Sequence, residues 1–225
     1  MSESVQPAVE GFRQARFMAP PGATTILLVR HGESAAAVAG LPFPLKDGHG
    51  DPALHPAGVD QAQRVGERLQ SERIDAIYVS SLIRTHQTAA PLAAATGITP
   101  VEYPDLREVF LGDWEGGLLR VKAAAQDPIY LRMRAEERWD VIPGAETSAQ
   151  LSARLWGALD NIVVDHRDGR VAVFIHGAAI GQILADITGA KNSFAFSGAD
   201  NGSISEFVVE GTTKTLRRFN DTAHL

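Results

Sequence analysis

The sequence predicts an α/β protein, a three-layer α/β/α sandwich with a mostly parallel central sheet. Strand-length apolar runs recur at Thr25–Val29, around Ile74–Ser80 and at Arg170–Ile175, and each is followed by a helical stretch. These runs read as continuous rather than alternating, the pattern of strands covered on both faces. No internal repeat is present, and after Trp114 no Pro/Gly-rich linker divides the 225 residues. A chain of this length fits one large domain, which buries roughly 70% of its unfolded surface.

Each element has its own signal. Residues 1–22 read as a loose, flexible leader closed by Pro20-Pro21-Gly22, and the domain is expected over 23–225. After the first strand, the Gly/Pro-rich stretch "AGLPFPLKDGHGDPALHPAG" leads to a helix over Val59–Ser71. The second strand feeds a helix that carries Arg84 and ends near Gly97. "TPVEYPDLREVFLGDWEGG" predicts a short strand and then an extended loop. Leu118–Trp139 is helical in pattern, charged and interrupted by Pro128, and forms a small cap around 110–145. Leu151, Leu155, Leu159 and Ile162 recur on one face of a helix over Thr147–His166. A last β–α step, Arg170–Ile175 then Ala178–Thr188, precedes two alternating segments, "SISEFVVE" and "KTLRRF", that predict a closing hairpin.

Composition narrows the function. A net charge of −6 lacks the broad basic face of a general nucleic-acid binder. With no cysteine, disulfides and thiolate metal ligands are excluded. The N-terminal stretch lacks a signal-peptide core, and no run approaches the ~20 apolar residues that cross a bilayer. The cytoplasm is the expected location, with no membrane or nucleic-acid partner. "GHGDPA" resembles a dinucleotide loop but follows no strand and contains Pro52. No Walker loop, Gly-x-Ser-x-Gly elbow or His-Glu-x-x-His pair is present. His49, His55, His86, His166 and His224 lack metal-ligand spacing with carboxylates, so no metal is expected.

The chemistry concentrates at strand ends. "TTILLVRHGES" carries Arg30, His31 and Gly32 beyond an apolar strand, and "VAVFIHG" repeats the arrangement at His176 and Gly177. In open α/β sheets, ligands bind outside the carboxyl ends of the strands, so both histidines can share one rim. "VSSLIRTHQTA" puts Arg84 in a first helical turn, where free N–H groups also favour an anion. "LREVFLGDWEGG" holds Glu108 in a loop. A guanidinium fork matches phosphate oxygens. A neutral imidazole can be a nucleophile, and a carboxylic acid can give a proton to a departing oxygen. Two arginines, two histidines and a glutamate around one point suit phosphoryl transfer through a phosphohistidine.

In this order and spacing, "LVRHGES", "VSSLIRTHQTA", "LREVFLGDWEG" and "VFIHG" resemble the histidine phosphatase superfamily, the phosphoglycerate mutase-like family. The likeness spans about Thr24 to Phe219 and takes in Gly58, Gln61, "PGAETSAQLSAR" and "NGSISEF". It implies a phosphoglycerate mutase-like fold with His31 as phosphorylated nucleophile. Arg30, Arg84 and His176 then bind the phosphoryl group, and Glu108 is the proton donor. Ser34, Tyr130 and Arg132 are candidate substrate contacts. The chain departs from the family at Ala37, where members commonly carry Asn, and at Ala178–Gly181, where many carry a polar residue and an arginine.

The expected activity is a metal-independent phosphomonoesterase, without cofactor, acting on a small phosphorylated metabolite. The alternatives are a phosphoglycerate mutase, for which the chain is short, and a catalytically weakened phosphate-binding protein. The edge of the C-terminal hairpin is a candidate for pairing two copies in a homodimer.

Overall fold

A six-stranded sheet forms the middle layer of the protein, with strand order β5-β4-β6-β1-β7-β8. The computed structural model describes residues 12–196 and 198–225, so residues 1–11 of the expected leader lie outside the described residues. The strands are β1 (Thr24–Arg30), β4 (Ala76–Val79), β5 (Val101–Glu102), β6 (Arg170–Ile175), β7 (Ile204–Glu210) and β8 (Thr213–Asp221). β5, β4, β6 and β1 run parallel; β7 and β8 join antiparallel at one side.

The apolar runs are buried on both faces, as their continuity predicts. Ile26 and Leu28 point into one core cluster, while Leu27 and Val29 point into the other. The helices α1 (Pro56–Leu69) and α2 (Ile83–Thr96) cover the second cluster through Val65, Leu69, Ala89 and Leu92. On the opposite face lie α5 (Ser148–Asp165) and α6 (Gly177–Thr188). Leu151, Leu155, Leu159 and Ile162 of α5 are fully buried. Truncating one of these leucines to alanine costs about 2–5 kcal/mol in a core of this kind. Thr147 and Gln150 start α5 with a reciprocal capping box, satisfying amides that the helix itself leaves open.

Two details differ from the sequence expectation. The segment 118–139 is two helices, α3 (Leu118–Ala124) and α4 (Pro128–Glu136). Pro128 begins α4 rather than interrupting a longer helix. Its missing N–H falls where no helical partner exists, and Asp127 caps the turn by accepting from Ile129 N at 2.9 Å. Within the Gly/Pro-rich stretch, β2 (Leu45–Lys46) and β3 (His49–Gly50) form a miniature hairpin. Its turn residues, Asp47 and Gly48, have φ of 50° and 83°. An Asp-Gly pair of positive φ is the I′ turn that joins strands most tightly.

Register then sets up the site. Arg30 pairs with Ile175 across β1 and β6, so the residues that follow, His31 and His176, emerge side by side. The chain leaves β1 toward α1 on one face and leaves β6 into α6 on the other. Between these two strands the connections diverge, the switch point at which open sheets bind ligands.

Candidate active site

His31 and Arg30 lie at the floor of a cavity of about 200 Å³, which Arg84, Glu108 and Arg120 also line. The His31 and His176 ring centroids are 5.1 Å apart at an interplanar angle of 62°. His31 Nδ1 lies 2.7 Å from Gly32 O. A carbonyl can only accept, so the ring proton sits on Nδ1 and Nε2 keeps its lone pair. That nitrogen accepts from Arg84 Nε at 3.2 Å. Burial first, then the charges of Arg84 and Arg30, hold the His31 pKa well below its ordinary value. The imidazole is therefore neutral, as a nucleophile must be.

The two glycines after the histidines have separate reasons. A Cβ on Gly32 would fall 2.3 Å from Gly58 O, because α1 begins directly across that backbone. A Cβ on Gly177 would crowd the Arg30 guanidinium, reaching 3.3 Å from Nε. Arg30 donates to Ala199 O, and its Nε is buried without a partner. The "NGS" stretch closes the same corner: Asn201 Nδ2 donates to His31 O at 2.9 Å. Gln61 Oε1 accepts from Glu33 N at 2.8 Å, which ties the motif's end to α1.

His176 is fully buried, with Nε2 2.8 Å from Ser80 Oγ and Nδ1 left without a partner. Desolvation, reinforced by Arg84 and His31, lowers its pKa well below the usual imidazole value. Arg84 reaches over from the first turn of α2. Its Nη1 donates to Gly50 O at 2.9 Å, so the β2–β3 hairpin fixes the guanidinium. Burial brings the Arg84 pKa down to about 10, opposed by Glu108 and Asp51, and the group remains a cation at neutral pH.

Glu108 faces these cations from the loop after β5. Its Oε2 accepts from Ala178 N at 3.2 Å, and its Oε1 from Ala179 N at 3.1 Å and Val109 N at 3.0 Å. The carboxylate thus caps α6, whose N-cap His176 makes no side-chain cap of its own. Small residues at 178 and 179 leave this approach open. At Gly181, a Cβ would meet Ser193 O at 2.6 Å, so neighbouring backbone fills the place of a side chain there. Ala37 lies beside Gly117 in the cavity wall, where a Cβ added to Gly117 would reach its methyl at 3.2 Å.

All five strand-end and loop residues named from the motifs come together: Arg30, His31, Arg84, Glu108 and His176. The three candidate substrate contacts do not line the cavity. Tyr130 packs against the core, and Arg132 sits on the exposed face of α4, 3.5 Å from Glu136. Ser34 is buried and accepts from Arg120 Nη2 at 2.8 Å. The cap arginine that reaches the cavity is Arg120, in α3, held also by Ala35 O at 2.9 Å. Arg154, the last residue of the "PGAETSAQLSAR" segment, stands among the leucines of α5. It donates to the carbonyls of Asp105, Arg107 and Glu108, each at 2.8 Å, and to Glu146. It is a positioning residue for the Glu108 loop. The sequence signal was a single cation within an otherwise apolar helix face.

Among the described residues, no group of three or more His, Asp or Glu is arranged to hold a metal ion, and no helix is long and apolar enough to cross a membrane.

Comparison with known proteins gives the family. The family model for the histidine phosphatase superfamily (branch 1) matches residues 26–222. A metal-independent phosphoserine phosphatase of Arabidopsis thaliana is 31% identical over 206 residues, covering 90% of this chain and 83% of that protein. Phosphoglycerate mutase-like protein 4 of the same plant is 33% identical, covering 89% and 86%. The crystal structure of mycobacterial glucosyl-3-phosphoglycerate phosphatase superposes with a TM-score of 0.75 at 25% identity, over 89% of this chain and 100% of that one. The sheet with its flanking helices is the phosphoglycerate mutase-like fold. The chain belongs to the histidine phosphatase superfamily and is an enzyme of it, a phosphomonoesterase of small phosphorylated metabolites.

Proposed function

We propose that this enzyme works without metal through a phosphohistidine at His31, with Glu108 as proton donor. The observation that carries the reading is the His31 ring itself: neutral, its proton held on Nδ1 by Gly32 O, its Nε2 lone pair directed at Arg84. In the first step Nε2 attacks phosphorus in line, and the bond from phosphorus to the alcohol oxygen breaks. Arg30, Arg84 and the free Nδ1 of His176 take the phosphoryl oxygens, replacing the contact that Arg84 makes with His31. The carboxyl group of Glu108 gives a proton to the departing alkoxide. In the second step Glu108 takes a proton from water, the water oxygen attacks phosphorus, and the N–P bond breaks. Phosphate leaves, and His31 is again neutral.

Arginines here supply the charge that a divalent cation supplies elsewhere. One arginine facing a phosphoryl transition state is worth roughly 10³–10⁵ in rate in other enzymes. The small cavity favours a compact metabolite over a polymer. Phosphoserine, named for the Arabidopsis relative, is the first substrate to try. The cytoplasm remains the proposed location.

The test is incubation with an aryl phosphate, phosphoserine and 3-phosphoglycerate in the presence of chelator, with acid-labile phosphate on the protein measured by rapid quench. Phosphate release with a transient acid-labile phosphoenzyme is the expected result. Isomerised phosphoglycerate without release would make the protein a mutase. Silence on every ester, with no phosphoenzyme, would make it a binding protein.

A further inference from the structure

A second histidine lines the cavity beside His31. His49 sits on β3, in the hairpin that also presents Gly50 O to Arg84, and is nine-tenths buried. Its ring meets Phe110 edge-on with centroids 5.2 Å apart. Nδ1 is buried without a hydrogen-bond partner. The closest carboxylate oxygen, Glu115 Oε1, is 3.8 Å away, beyond hydrogen-bond reach. Glu115 is itself satisfied by backbone, since Oε1 accepts from Leu111 N at 2.9 Å and Oε2 from Gly50 N at 2.7 Å.

A polar atom buried without a partner costs about 1–3 kcal/mol. Phenylalanine would pack on Phe110 equally well without that cost. Packing therefore does not explain an imidazole here; Nε2, which makes no hydrogen bond to the protein, is the ring nitrogen that a ligand in the cavity can engage. We propose that His49 is a specificity-determining residue that accepts a hydrogen bond from a hydroxyl or amine N–H on the alcohol part of the substrate. The enzyme's preferred esters are then those of small alcohols bearing such a group close to the ester oxygen.

The electrostatics fit this role. Burial first, then Arg107 and Arg154, lower the His49 pKa to about 4, so the ring is neutral and does not compete with the arginines for phosphate. The neighbouring Glu115 carboxylate favours the proton on Nδ1, which leaves Nε2 as acceptor. Arg120, by contrast, already spends two donors on Ser34 and Ala35.

The inference rests on the phosphatase reading, and matched esters separate the two. The experiment compares kcat/KM for 2-hydroxyethyl phosphate and 2-aminoethyl phosphate against ethyl phosphate, in the wild type, His49→Phe and His49→Asn. Sites built to hydrogen-bond a substrate group reject the analogue that lacks it. The wild type is expected to prefer at least one polar ester over ethyl phosphate by about tenfold or more. In His49→Phe that ratio falls toward one, mainly through KM, and His49→Asn restores part of it. An unchanged ratio in His49→Phe, or no preference in the wild type, overturns the proposal while leaving the phosphatase reading intact. If His49→Phe fails to fold, His49→Leu serves as the variant without an acceptor, and a wild-type ratio in it with a lowered Tm would mark His49 as purely structural. Wild-type protein that hydrolyses none of the esters overturns both.

Discussion

The floor and the walls of the cavity are built differently. At and beneath the floor, Arg30, His31 and the buried His176 continue central strands, and the backbone is locked into the sheet: His31 N donates to Ile175 O at 3.0 Å and Arg30 N to Ser203 O at 3.0 Å. The walls come from a two-by-two-residue hairpin, a loop and the short helix α3, held by scattered side-chain bonds such as those of Arg154 and Arg120. Phosphoryl chemistry needs positions accurate to a fraction of an ångström, which the sheet supplies. Selectivity tolerates, and changes through, the less constrained pieces. The floor should therefore govern turnover, and the walls should govern which ester enters.

Mutation can break that division. The largest effect is expected from His31→Ala, which removes the attacking atom and lowers turnover by roughly 10⁴-fold or more. Hydrolysis and phosphoenzyme trapping, with a melting curve to confirm folding, check it, and vigorous hydrolysis by this variant would sink the mechanism. Glu108→Gln comes next, because Glu108 stands on a wall yet is assigned chemistry. A lost proton donor slows an alkyl ester by about 10²–10⁴. An aryl ester, whose leaving group needs little protonation, should suffer much less. Equal losses on both esters would reduce Glu108 to a helix cap.

Arg120→Leu should act more mildly, lowering kcat/KM by about tenfold through KM with kcat nearly kept, as befits a group that binds ground and transition states alike. A collapse of kcat comparable to that of Arg84→Gln would dissolve the boundary between floor and wall.

The smallest effect is on stability against pH. His31, His176 and His49 all have folded pKa values below the ordinary imidazole value, His49 at about 4. The unfolded chain takes up these protons near pH 6.5, and the folded protein resists them. Below about pH 6.5 the unfolded state therefore binds more protons, and stability falls as pH drops toward the folded values. Urea midpoints at pH 7.5, 6.5 and 5 should decline in that order, and a flat series would show that the imidazoles protonate freely. His49→Phe should lessen the decline.

Much of the floor was legible in the sequence. Strands announce themselves through apolar runs, and His-Gly at two strand ends, Arg84 in a first helical turn and Glu108 in a Gly-rich loop each carry a local signature. The walls were not so legible. Arg120 and Arg132 belong to the same charged stretch, and nothing local distinguishes the arginine that folds inward from the one that pairs with Glu136 on the surface. His49 lacks metal-like spacing, and only the Asp47-Gly48 turn beside it signals the hairpin that carries it. Arg154 works through carbonyls some 46–49 residues away, a partnership no periodicity encodes.

The sequence by itself determined the layered α/β architecture, the strand ends that bear reactive groups and the class of chemistry. These follow from hydrophobic periodicity and residue type, which are local properties. Only the tertiary structure decided that Arg30 pairs with Ile175, so that two histidines separated by 144 intervening residues lie 5.1 Å apart, and which polar groups close the cavity above them. Those outcomes depend on register and on burial against distant backbone, where the energies of many weak contacts are settled together.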